Sequence, residues 1–581
     1  MHRNYRRGRA PRLAAVTVLA LAAALTLTTG SATATTATST DAELRPYAPA
    51  DGGPNIPAPK SNAPSRVPAT NVPRVTGLAV VAGPAAKVAE GLSLKDQRRS
   101  NQGNSFSLEP PDQALCAGNG YVLEGVNNVF AITTTAGGPL SAPQSYVPFW
   151  NNGVPEFDRT AGRVGPFVSD PRCYFDPGTR RFFMTELQLG TDPDTGNFTG
   201  DSFVNIAVSR SAVPTTSSAD WRLYRLNVRN DGTQGTPAHR GCPCLGDQPL
   251  IGADQNGFFV TTNEFPLAGP GFNGNQSYAF DKVALTRGVL TVQRIETVDP
   301  PLAEGVAYSI QPATSPSTSD WSPAAGGTEF ALSALDFTGG LDNRIATWAF
   351  TNTKSLAGRT PNVHLDKVVI ASEVYGMPPS AAQKTGPTPL ADAVNAKENL
   401  LSSNDDRMNQ TVFAGGRLFS AVNTAVKTET NPTSVGIGYF VVAPSIPSGG
   451  ALSATVANQG YVSVTNQSVM YPSIGVTAGA GTAAMTFSLS GPDYYPSSAY
   501  VRLDGSGTIT SPVTVSAAGT RPADGFTGYP AYGGGGIERW GDYSTAVADG
   551  SSIWMASEYV PGTFVFSPYL ANWGTSISRV D

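Results

Sequence analysis

An all-β fold is predicted for this 581-residue chain by three features. Short β-branched and aromatic runs are separated by Gly, Asp, Asn and Pro clusters from about Phe106 onward, sustained helical periodicity is nearly absent, and a strand-turn-strand unit recurs. Gly246-Asp247-Gln248-Pro249-Leu250-Ile251 leads through the turn Gln255-Asn256-Gly257 into Phe258-Phe259-Val260. Gly541-Asp542-Tyr543-Ser544-Thr545-Ala546 leads through Asp549-Gly550 into Ile553-Trp554-Met555. Ser169-Asp170-Pro171-Arg172-Cys173 and Pro111-Asp112-Gln113-Ala114-Leu115-Cys116 open in the same way. Each reads as a β-hairpin entered through an aspartate.

Weaker copies begin near Asp406 and Tyr471, so the openings recur every roughly 60–80 residues with one double gap. Strands around Ala307–Ile310 and Phe330–Leu335 fill that gap and bring the units to seven. Second halves also repeat: Phe203–Ser209 precedes Asp220-Trp221, and Ile345–Phe350 follows Asp320-Trp321. Four strands per unit make a propeller blade. The expected architecture is therefore a single seven-bladed β-propeller over residues 76–581, closed by a strand from the N-terminal side at about Thr76–Val81. A two-domain sandwich would not carry one motif along the whole length.

The N-terminus holds Arg3, Arg6, Arg7, Arg9 and Arg12, an apolar stretch from Leu13 to about Leu27, and Ala32-Thr33-Ala34. This predicts a signal peptide over 1–34 and a secreted protein, extracellular or bound to the cell wall. Residues 35–75, rich in Thr, Ala and Pro, read as a disordered tether. No later stretch is long and apolar enough for a membrane span. With 14% charged residues and a formal net charge of -5, no basic field exists to attract nucleic acid. The expected partner is a glycan or protein ligand at one propeller face, bound by a monomer.

All four cysteines, Cys116, Cys173, Cys242 and Cys244, are expected in disulfides. Cys242-Pro243-Cys244 looks too tight to bridge within itself, so one of that pair is expected to reach Cys116 or Cys173. A Cys-Pro-Cys redox or metal site is the rival reading, with His239 the one nearby histidine. Asp192, Asp194 and Asp201, in a Gly-punctuated loop, are weak calcium candidates; no other metal and no organic cofactor is expected.

The aspartate-opened hairpins with Asn-Gly or Asp-Gly turns, together with Val208-Ser209 followed by Asp220-Trp221, resemble secreted bacterial propeller proteins of the sialidase-like type. The resemblance covers roughly residues 105–581 and implies architecture rather than chemistry. In sialidases it would imply an arginine triad holding a carboxylate, an Asp acid/base and a Tyr-Glu nucleophilic pair. Arg172, Arg407 and Arg539 stand close to three of the strand openings and are the ligand-binding candidates, with Trp540 and Tyr543 as aromatic contacts. Asp112, Asp170, Asp247 and Asp542 are the catalytic candidates, since glycoside hydrolysis needs two carboxylates across a cleft. Their repetition points instead to a turn-capping role, because catalysis needs an asymmetric pair. No Gly-x-Ser-x-Gly or His-Glu-x-x-His occurs. The leading expectation is an extracellular binding protein without chemistry; a glycoside hydrolase with a sialidase-like centre and a purely structural surface component are the alternatives.

Overall fold

The computed structural model describes residues 39–41, 45–46, 71–82, 87–295, 302, 305–335, 340–428, 433–562 and 573–581. The expected leader at 1–34 and most of the tether at 35–75 lie outside the described residues. Within them the chain is nearly all β, and no helix is long and apolar enough to cross a membrane.

Four-stranded antiparallel meanders follow one another along the chain. The first runs from Ala114–Gly118 to Gln144–Ser145, the second from Phe167–Asp176 to Trp221–Asn227 and the third from Cys244–Ala253 to Val292–Ile295. The fourth runs from Gln311–Thr314 to His364–Gly376, the fifth from Thr411–Ala414 to Ser453–Val462 and the sixth from Ser468–Val476 to Val513–Ala517. The seventh combines Thr545–Asp549, Ser552–Tyr559 and Gly574–Val580 with Lys87–Ser93 from the N-terminal side. First strands of consecutive meanders pack against one another, and that of the seventh packs against that of the first, so the inner strands form a ring.

The N-terminal partner of Gly574–Val580 is Lys87–Ser93 rather than the stretch near 76–81. Val80–Ala82 instead runs parallel to Val513–Ala517 at the edge of the sixth meander. Burial explains the difference: Leu92 and Leu94 enter an apolar cluster with Trp540 and Trp573, whereas Val81 stays exposed.

Each neighbouring pair of meanders shares its own apolar cluster. Phe130, Phe182 and Trp221 lie between the first and second, Phe183, Phe258 and Phe280 between the second and third, and Trp554, Leu115 and Ile577 between the seventh and first. The middle strands are covered on both faces and are buried along nearly their whole length, polar residues such as Thr261, Thr262 and Asn263 included. Burial of each such side chain contributes about 1.5–3 kcal/mol.

The inner strands share a local device. Asp112, Asp170, Gln248, Ser309, Tyr471 and Asp542 all adopt positive φ, between 46° and 73°, at or near the start of six of the seven inner strands. In the second, third and sixth meanders this residue sits in a β-bulge, which re-aims the chain at the start of the strand. In the third meander the equivalent position is Gln248, one residue beyond Asp247. An asparagine from the preceding meander holds three of these residues by their backbone N–H. Asn127 Oδ1 accepts from Asp170 at 2.7 Å, Asn263 Oδ1 from Ser309 at 2.8 Å and Asn423 Oδ1 from Tyr471 at 2.6 Å.

At the opposite end of the inner strands, Asp320 and Trp321 lie in the connection between the first two strands of the fourth meander. Asp320 Oδ1 accepts from Gly415 N at 2.9 Å and Gly479 N at 3.0 Å, tying down hairpins of the fifth and sixth meanders. The Trp321 ring lies over Lys282 Nζ at 3.7 Å and against Gly178, where a Cβ would come within 2.5 Å of it. Asp320-Trp321 is therefore not the counterpart of Asp220-Trp221, whose tryptophan opens the fourth strand of its own meander.

The cysteines correct the expected pairing. Cys116 bridges Cys173 across the first strands of two meanders (Cα–Cα 5.4 Å), and Cys242 bridges Cys244 (4.4 Å). Cys116 and Cys173 face each other across one interface, which leaves the other two to pair at a separation that still permits a bridge.

Candidate functional site

The ring gathers the strand openings, and with them most of the candidate residues, at one end of the inner strands. Asp112 is 2% exposed; its Oδ2 accepts from Asn127 Nδ2 at 2.6 Å, while its Oδ1 has no partner among the described residues. Asp170 is also buried, and its Oδ2 accepts from Gln248 N at 3.3 Å. Burial, reinforced by the charges of Asp542 and Asp170, raises Asp112 well above the usual carboxyl range. Burial, then the charges of Asp247 and Asp542, push Asp170 up to about 7. Two adjoining carboxyls in a desolvated place cannot both ionise easily, so the pair retains a proton near neutrality. Asp247 is half-buried.

Asp542 lies beside this cluster and is half-buried. It is ion-paired with Arg539, and its Oδ1 accepts from Asn404 Nδ2 at 3.1 Å. Gly541 allows this placement: at φ 71°, it rests on the Tyr471 ring, which a Cβ would approach to 2.3 Å. Glu558 Oε2 holds the Gly541 N–H at 2.7 Å.

The three arginines converge on the same region but differ in their partners. Arg407 is clamped by both Asp405 oxygens, at 2.6 and 2.8 Å, and donates to Gln248 Oε1. Arg539 has Asp542. Arg172, only 7% exposed, makes no ion pair among the described residues; its guanidinium lies 3.4 Å from the centroid of the Tyr543 ring, and its Nε likewise has no acceptor among them. Burial lowers its pKa, while Tyr543, Asp170 and Asp112 act in the opposite direction. A buried cation without an ion-pair partner is costly unless something supplies an anion.

The remaining candidates separate from the cluster or change character. Tyr543 is fully buried, donates its OH to Pro171 O at 2.8 Å and serves as a floor for Arg172. Trp540 is corrected from a ligand contact to a core residue: it is wholly buried, and its Nε1 donates to Ser488 Oγ at 3.2 Å. The calcium candidates are not brought together. Asp192 accepts from the Asp194 and Thr195 amides, Asp194 pairs with Arg163, and Asp201 is buried against Arg229 at 2.7 Å. Among the described residues they form no group able to hold one ion.

Several members of the site escaped the sequence reading. Asn127, Asn404, Asp405, Gln248 and Tyr308 lack an unusual local pattern. Tyr308, whose OH donates to Asp405 Oδ2 at 3.0 Å, forms a tyrosine-carboxylate contact 97 residues apart in sequence. Nothing beyond a preceding apolar residue or Thr, in Val126-Asn127, Thr262-Asn263 and Val422-Asn423, marks the inter-meander asparagines in the sequence.

No family model matches the sequence, and no curated protein matches it. Solved structures do. A Trypanosoma rangeli sialidase in complex with sialic acid is 10% identical, with 73% of this chain and 56% of that one covered and a TM-score of 0.32. An alpha-L-arabinofuranosidase from Lactobacillus brevis is 10% identical, with 76% and 97% covered and a TM-score of 0.26. The Hadza microbial sialidase Hz136 is 9% identical, with 81% and 75% covered and a TM-score of 0.30. The expectation of a binding protein without chemistry is corrected at this point: two of the aromatic residues put forward for that role, Trp540 and Tyr543, are buried; the glycan-hydrolase titles are those of the similar structures themselves.

Proposed function

We propose that this chain is a secreted seven-bladed propeller that hydrolyses a glycosidic bond next to a carboxylate-bearing sugar. The observation that carries the reading is Arg172, a buried guanidinium with no ion pair among the described residues, beside the buried carboxyls of Asp112 and Asp170. The sugar carboxylate would dock on Arg172, since Arg407 and Arg539 are already ion-paired with Asp405 and Asp542. Asp170, pushed up to about 7, is matched to a general acid that protonates the leaving oxygen at mildly acidic pH. Asp542, with Arg539 at its side, would act as base or nucleophile. Asp112 and Asn127 then position Asp170 rather than react.

The test is a panel of chromogenic glycosides offered to the purified mature protein, with sialic and uronic acid glycosides beside neutral ones. Expected is turnover of an acidic glycoside, reduced about 10²–10⁴-fold by Asp170→Asn, with Arg172→Lys raising KM for acidic substrates. Turnover restricted to neutral glycosides would remove the role of Arg172. Absence of turnover on every substrate would overturn the hydrolase reading.

A further inference from the structure

The strand that carries Asp247 and Gln248 toward the cluster begins at Cys244, and a second, unrelated group of donors surrounds that beginning. Cys242 Sγ, Cys244 Sγ and a carboxylate oxygen of Glu264 all lie within 4.8 Å of one another. His239 Nδ1 is 2.7 Å from Glu264 Oε1, and both side chains are almost wholly buried. Asn273 Nδ2 donates to Glu264 Oε1 at 2.9 Å and approaches the two sulfurs at 3.7 and 3.6 Å, while Asn230 Nδ2 donates to Glu264 Oε2. A cystine alone gives no reason for this arrangement, because its sulfurs carry no proton for a carboxylate to accept. Two sulfurs and a carboxylate, with the carboxylate oriented by two amides and the His239 imidazole, match three donors and the outer hydrogen bonding of a zinc site that keeps one open position.

We propose that Cys242 and Cys244 form a redox-gated metal site: a disulfide when oxidised and, after reduction, a Cys2Glu site for one soft divalent cation held by Cys242, Cys244 and Glu264, with His239 hydrogen-bonded to Glu264 outside it. The reductant is a dithiol. Its thiolate attacks Cys242 Sγ, the sulfur of the half-buried residue, while Cys244 is fully buried. The Cys242–Cys244 bond breaks, and Cys244 leaves as a thiolate. The second thiol of the reductant then displaces Cys242 from the mixed disulfide, so two electrons pass to the cystine and the dithiol becomes a disulfide. Any protons on the two thiols go to solvent as the cation binds. This assignment is independent of the hydrolase reading and is read out without substrate.

The experiment is a cadmium titration of the mature chain, followed by the near-ultraviolet thiolate-to-metal band, after reduction with a water-soluble phosphine and its removal by gel filtration. Expected is one cadmium per reduced chain, no band in the oxidised chain and none in the reduced Cys242→Ser, Cys244→Ser double variant. Asn273→Ala should weaken binding by about tenfold or more through loss of carboxylate orientation. Thiols released from Cys116 and Cys173 remain in the double variant, so that variant isolates their contribution. A reduced wild-type chain that binds no tighter than the double variant would overturn the proposal. If the double variant fails to fold, the oxidised wild-type chain supplies the comparison: equal binding before and after reduction overturns the assignment equally.

Discussion

Glu124→Gln is expected to flatten the pH dependence of stability by a calculable amount. Glu124 lies at the seam where the two ends of the chain meet: its carboxylate accepts from Leu92 N at 2.9 Å and from Thr575 Oγ1, on paired strands 87–93 and 574–580. Burial, against which these bonds act only partly, pushes its pKa from the ordinary 4.5 up to about 7. The sign follows from linkage. The folded state holds the proton more tightly than the unfolded state, so the contribution is fully present below pH 4.5, declines as pH rises toward 7 and is gone above it. One pKa unit corresponds to about 1.4 kcal/mol. Ionisation of this one group between pH 5 and pH 8 therefore costs about 2.5 kcal/mol of folding free energy. Glutamine keeps the shape and an acceptor oxygen but does not ionise. Guanidinium unfolding of wild type and variant at pH 5 and pH 8 reads the difference directly. Wild type should lose about 2.5 kcal/mol more than the variant over that interval. Curves that remain parallel to within about 0.5 kcal/mol would refute the argument that Glu124 is desolvated at a closed seam.

Three further outcomes follow from the same contacts. Asn127→Ala strips a buried acceptor from Asp170 N and a donor from Asp112, and should destabilise the chain by about 3 kcal/mol in urea unfolding; a loss below about 1 kcal/mol would mean that the inter-meander asparagine is dispensable. Asp320→Ala removes the charged acceptor of the Gly415 and Gly479 amides and should cost about 2 kcal/mol, with faster hydrogen exchange confined to those two hairpins. Trp540→Phe should lower the unfolding midpoint through lost packing and the lost Ser488 bond while leaving KM for any glycoside unchanged; a KM effect without a stability effect would return Trp540 to the ligand.

Much of the architecture was legible because strands and turns are local. The aspartate-opened hairpins at 112, 170 and 542 mark inner-strand starts, where a short polar side chain tolerates positive φ. At the third meander the same pattern pointed to Asp247, although Gln248 takes that backbone position: a bulge shifts register by one residue without altering composition. Tyr471 and Ser309 carry no turn signature, since the asparagine that holds each comes from another meander. The tight Cys242–Cys244 bridge was likewise missed, because the facing of Cys116 and Cys173 depends on two inner strands packing side by side.

For the site, residue type and chain position were enough to nominate Asp112, Asp170, Asp542, Arg172, Arg407 and Arg539, because a ring of similar units must bring similar strand ends together. The sequence by itself thus determined the β character, the repeat and the list of charges facing the axis. Only the tertiary structure decided which of those charges cancel. Arg407 is neutralised by Asp405 and Arg539 by Asp542, while Arg172 receives an aromatic ring. It also turned Trp540 into core and exposed the Cys242, Cys244, His239 and Glu264 grouping. The physical reason is common to all of these: desolvation and ion pairing depend on distances across meanders, and no local pattern in the chain encodes them.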